Sequence, residues 1–147
     1  MRNTILKVAP ALAIAALASQ MWAGGFFFQL GNPDASPEAR NLNAVLTMQV
    51  AGCHDPASAK VTATAIGVVN GQRREIELKV EPLSAAGAFA ITQQWPKEGR
   101  WVIKLTGKAG DLVTNTLVSA GPAGVDRYHA KADMREFTAA DVDAMLK

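Results

Sequence analysis

An all-β fold, an immunoglobulin-like antiparallel sandwich of about seven strands, is what three features of this sequence predict. Short runs of period-two alternation recur along the chain, strong turn signals separate them, and they follow one another at the spacing of about 8–12 residues usual in such sandwiches. At 147 residues and 49% hydrophobic content, one domain can enclose a proper core. Only 19% of residues are charged, which argues against long disorder. A small barrel satisfies the same strand pattern and stands as the alternative.

Ahead of the first strand lies an address label. Arg2 and Lys7 flank a basic start, and Val8 to Ala18 form an apolar run well short of the roughly 20 residues a bilayer crossing needs. Two cleavage points fit, Ala16-Leu17-Ala18 and Ala23 before Gly24-Gly25. The second defines a signal peptide over 1–23, although Met21 is bulky for its place; an uncleaved anchor is the other reading. Loss of 1–23 takes Arg2 and Lys7 with it, so the 15 basic side chains fall by two to 13, against 13 acidic ones. That balance gives no electrostatic footprint for nucleic acid or an anionic membrane, and the mature chain carries no membrane span. The expected location is periplasmic or secreted.

The elements follow in order. Phe26-Phe27-Phe28-Gln29-Leu30 is a β-prone run with aromatics on both faces, as in a covered strand or a sheet edge open to a partner. Ser36 can cap a single helical turn that begins at Pro37. Leu42, Ala44, Leu46, Met48 and Val50 then share one strand face, and Lys60 to Val69 supplies the next, β-branched strand. Asn70-Gly71 is the strongest short hairpin signal in the chain. Ile76, Leu78 and Val80 alternate with Arg73, Glu75, Glu77, Lys79 and Glu81 up to Pro82, the charged set being a solvated face. Gly87 precedes a strand holding Phe89 and Ile91. Pro96-Lys97-Glu98-Gly99 turns into a strand in which Trp101, Ile103 and Leu105 face the core, whereas Trp95 at a strand end offers a surface contact. Gly107 to Gly110 reads as a hairpin loop, and Leu112 to Ser119 as the last strand. The sandwich domain thus spans 24–120.

Residues 121–147 form a C-terminal extension, irregular through Tyr128 and His129 and then helical over 138–146. Thr138 is a good cap, Asp141 sits at the third helical position, and Phe137 can staple against Val142. Val142, Met145 and Leu146 share a face. So short a helix is marginal alone and must dock, on its own sandwich or on a partner; the second reading makes these three the partner-binding candidates.

The inventory for catalysis is thin. There are two histidines, His54 and His129, and no phosphate-binding glycine loop or metalloprotease pattern, so the chain is read as not an enzyme. The single cysteine, Cys53, excludes an internal disulfide. It lies in Gly52-Cys53-His54-Asp55-Pro56, where a thiolate beside an imidazole is a soft pair suited to copper or zinc. Cys53 and His54 are therefore the candidate metal residues, to be completed by Met48 or His129 if folding brings one close. The plainer reading is a small buried cysteine at a strand end beside an Asp-Pro turn.

Leu83 to Phe89 together with Pro96-Lys97-Glu98-Gly99-Arg100-Trp101-Val102 resembles the second half of YtkA-like and FixH-like exported β-sandwich domains, where a Gly-x-aromatic strand leads to a Pro-x-x-Gly-x-Trp turn and strand. The likeness covers about residues 60–107. It implies a sandwich, and for some relatives copper handling or cytochrome oxidase assembly; no ligand motif of those relatives is present in this chain. The function expected is that of an exported, non-catalytic binding or accessory module without a cofactor and with a protein partner of unknown identity. The alternative is a periplasmic copper-handling protein using the Cys53–His54 loop.

Overall fold

The strand-forming runs that the sequence predicts fold into strands. The computed structural model describes residues 25–147. The signal peptide over 1–23 lies outside them. Among the described residues the strands are β1 (Phe27–Gly31), β2 (Ala44–Ala51), β3 (Lys60–Val69), β4 (Gln72–Leu78), β5 (Glu81–Pro82), β6 (Ala88–Thr92), β7 (Arg100–Ala109), β8 (Leu112–Gly121) and β9 (Gly124–Asp133). Helix α1 (Pro37–Asn41) precedes β2, and α2 (Ala139–Leu146) follows β9.

Two antiparallel sheets result, one ordered β1-β2-β6-β5 and the other β4-β3-β7-β8-β9. In the lettering of immunoglobulin domains the first is A-B-E-D, and β3, β7 and β8 are C, F and G. Strand β4 is added beside C, and β9 beyond G. The all-β sandwich is thus the fold the sequence predicts, with nine strands where about seven were expected.

The inner faces meet in one core. Leu46, Met48 and Val50 from β2 and Ile91 from β6 pack with Ala63 and Ala65 from β3, Trp101, Ile103 and Leu105 from β7, and Val118 from β8. Phe26 and Phe28 join them, while Phe27 faces outward on the edge strand β1. The Asn70-Gly71 signal is a tight hairpin between β3 and β4, with φ of 50° and 75°, as a type I′ turn requires. Ser36 caps α1 through Ala39 N–H at 3.2 Å.

Five expectations change. Leu42 does not share the buried face of β2: it ends α1, is exposed, and is followed by Asn43 at φ 55°, which turns the chain before the strand begins at Ala44. The strand through Glu81 stops at Leu78, because Gln94 takes both backbone groups of Lys79: its Oε1 accepts from the Lys79 N–H at 2.8 Å and its Nε2 donates to the carbonyl at 3.0 Å. The chain then crosses to the other sheet as β5. Gly107 is not a loop residue; β7 runs on to Ala109, and Gly107 leaves room for the Phe28 ring tip, 2.7 Å from where a Cβ would stand. Trp95 is buried in the core rather than offered as a surface contact. Lastly, the stretch after Gly121 is no irregular extension but β9, a full edge strand of the larger sheet.

Helix α2 docks on the outer face of that sheet. Its Val142, with Met145 and Leu146 beside it, packs with Phe137 on Ile66 (β3), Val102 (β7) and Leu117 (β8). Thr138 and Asp141 form the capping box that the sequence predicts. Around this apolar contact, Arg73 pairs with Asp143, Lys104 with Glu136 at 3.0 Å, and Arg135 with Asp141 at 2.8 Å. Arg100 donates to backbone oxygens of Leu146 and Lys147, where a cation also suits the helix dipole.

The Arg135–Asp141 and Lys104–Glu136 pairs carry a pH dependence. Hydrogen bonding to the Arg135 guanidinium, then to Thr138, holds the Asp141 carboxyl well below its ordinary 3.8, and the Lys104 ammonium lowers Glu136 from 4.5. Depressed carboxyl values mean that this contribution is complete above the ordinary values and is lost as pH falls through the folded ones. Helix α2 should therefore loosen before the sandwich as pH drops below about 4, seen as faster amide exchange in 138–146. Equal protection of α2 at pH 7 and pH 3 would contradict this.

One core group stands out. The Thr116 hydroxyl is buried and finds no hydrogen-bond partner among the described residues. An unpaired buried hydroxyl costs stability, so the near-isosteric Thr116→Val should raise it by about 1 kcal/mol, roughly 4 °C in melting temperature. A melting temperature that falls would show the hydroxyl to be satisfied.

Candidate functional site

The Cys53–His54 loop follows β2 directly. Asp55 caps the next turn, its Oδ1 accepting from Ala57 N–H at 3.2 Å, which fixes the loop as the Asp-Pro signal predicts. Cys53 is half-buried and packs against the main core; His54 is exposed. Met48 is a core side chain on β2, and His129 lies on β9, paired with Asp126. Among the described residues, no three His, Cys, Asp or Glu side chains gather where they could hold a metal ion. The structure therefore keeps Cys53 and His54 neighbours in sequence without adding a third donor of these types.

Val142, Met145 and Leu146 face the chain's own sheet. Val142 is 2% exposed. Of the two readings of that helix, docking on its own sandwich is the one the structure shows. No helix among the described residues is long and apolar enough to cross a membrane.

A shallow groove of about 290 Å³ opens at one end of the sandwich between the start of β1 and the start of β8. Phe26, Leu112, Val113 and Met134 form its walls, and Gly25 and Gly52 complete it. Asp111 is its one ionisable side chain, so the groove holds no acid–base pair.

The ladder is broken in β9, where the sequence alone predicts an irregular stretch. Ser119 pairs with Asp126 and Leu117 with Lys131, so the single Val118 of β8 stands opposite four residues, Arg127 to Ala130. The extra residues bulge out of the ladder. Bulges of this kind re-aim side chains at sheet edges.

Asp126 holds the bulge in shape. Its Oδ1 accepts from the backbone N–H groups of Tyr128 and His129 at 3.2 and 3.3 Å, and its Oδ2 accepts from His129 Nδ1–H at 2.7 Å. Hydrogen bonding to the His129 side chain is the leading reason that the Asp126 carboxyl sits below its ordinary range. The result presents Tyr128 to solvent at 87% exposure, with the Arg127 guanidinium 5.6 Å from its ring centroid. A tyrosine in water forfeits the burial its ring could gain, and tyrosine beside arginine is the side-chain chemistry of interface anchors. The signal available in sequence was Asp126-Arg127-Tyr128-His129 itself, an Asx-type turn start followed by the chain's only tyrosine.

Compared with known protein families, with curated proteins and with solved structures, the chain matches none of them.

Proposed function

We propose that this chain is an exported, non-catalytic accessory module that recognises a protein partner through edge strand β9. The observation that carries the proposal is the bulge at Arg127–Ala130, which projects Tyr128 almost fully into solvent while Asp126 braces the backbone beneath it. A preformed loop loses little conformational freedom on binding, so an aromatic anchor on it adds affinity at small entropic cost. The exposed Tyr128 with the half-buried Arg127 beside it suits a partner surface with an apolar pocket rimmed by acidic groups. The likeness of residues 60–107 to YtkA-like and FixH-like exported sandwiches points in the same direction, toward an accessory role outside the cytoplasm.

The test compares the mature chain with Tyr128→Ala. Because Tyr128 is exposed, its removal should change folding stability by less than about 0.5 kcal/mol. Each chain is immobilised and exposed to periplasmic extract, and retained proteins are identified by mass spectrometry. The expected result is a protein held by the wild-type chain and lost with Tyr128→Ala. Retention of the same proteins by both, or of none by either, would overturn the reading.

A further inference from the structure

We propose that the sheet face beneath α2 is a helix-binding groove, which α2 fills as a built-in occupant and can yield to an acidic amphipathic helix of a partner protein. This goes beyond the β9 edge and does not depend on it. The groove floor is the apolar stripe Ile66, Val102 and Leu117. Three strand cations surround the occupant, and each meets α2 or its leading segment: Arg73 meets Asp143, Lys104 meets Glu136, and Arg100 meets the helix C-terminus. The chemistry recognised is therefore read from the present occupant. Apolar residues at i, i+3 and i+4, as in Val142, Met145 and Leu146, fill the stripe, and acidic groups answer the cations.

The occupant is weakly held by comparison with the strands around it. An eight-residue helix has little stability of its own, so nearly all its order comes from docking. Within α2 only Val142 is fully buried. The surrounding ion pairs are solvent-exposed on at least one partner, and such pairs add little and are screened by salt. The two sheets pair without any contribution from α2, so the groove outlasts the departure of its occupant.

The experiment uses the full mature chain and, as probe, a fluorescent peptide of residues 136–147, read by anisotropy. In the wild-type chain α2 competes in cis, and the peptide should bind poorly. In Val142→Asp, with α2 expelled, binding should strengthen at least about tenfold and be lost again when Arg100→Glu and Lys104→Glu are added. A Val142→Asp chain that keeps its β-sheet circular dichroism and a cooperative melt, yet binds the peptide no better than wild type, overturns the proposal. If that variant fails to fold, amide exchange of the wild-type chain decides. Exchange in α2 at least about 100-fold faster than in β3 and β7 supports release, and exchange of α2 only together with those strands overturns it.

Discussion

Replacing Trp101 by alanine is expected to remove about 3–5 kcal/mol of folding stability, a large share of the roughly 5–15 kcal/mol that holds a domain of this size. Trp101 is 1% exposed and lies on the inward face of β7, in one row with Ile103 and Leu105. Its ring fills the space above Gly67 on β3, where a Cβ would stand 2.4 Å from two ring atoms. Its Nε1–H donates to the Glu98 carbonyl at 2.9 Å, which ties the Pro96–Gly99 turn to the core. Alanine would therefore leave a large cavity and free that carbonyl at once. Gly67→Ala should also destabilise, through overpacking, and the two changes together should cost less than their sum, since each relieves the other. Urea unfolding of the four chains with a shared m-value measures this. A loss below about 1 kcal/mol for Trp101→Ala would mean that the site collapses around the gap.

Trp101 also shows why so much of the fold was legible in the sequence. Where one face of a strand is buried and the other more exposed, period-two alternation encodes both the strand and its facing, as in β2. Turn chemistry did the same for Asn70-Gly71, where backbone geometry admits few residue types. The failures share a different cause. Strand β9 lies at an edge with a bulge that breaks its period, so its residues alternate neither in polarity nor in burial. The end of β4 is set by Gln94, a side chain fifteen positions away that no local pattern announces. Gly107 reads as a turn residue, but it is small because Phe28 lies above it.

The candidate site was legible in chemistry and not in place. Cys53 and His54 stood out as soft donors, yet a site needs several chain segments to converge, and pairing of distant strands decides that. The prominence of Tyr128 is not legible in the sequence, because exposure is a property of the folded edge. For α2 the reverse holds. Its cap, staple and apolar face were all local features, and the structure adds only the sheet on which they settle.

Asn115→Ala is expected to cost about 2–4 kcal/mol, and to do so unevenly across the molecule. Asn115 is a buried polar residue on the outer face of β8, beside Leu117. Its Oδ1 accepts from the Thr106 hydroxyl at 2.9 Å, and its Nδ2 donates to the carbonyls of Met134 and Arg135 at 3.4 and 3.0 Å. One amide thus joins β7, β8 and the segment leading to Phe137 and α2. Alanine orphans a hydroxyl and two carbonyls in a part-buried place, and the carbonyls regain partners most readily when residues 134–147 lift from the sheet. The sandwich itself keeps its strand pairing. Amide exchange and limited proteolysis of Asn115→Ala should therefore show residues 134–147 opening far more readily than β3 and β7. Asn115→Asp should behave no better, because it sets an acceptor against two carbonyls. Uniform loss of protection across β3, β7 and α2 would instead make Asn115 a general core contact, and the docking of α2 would then rest on Val142 and Phe137 alone.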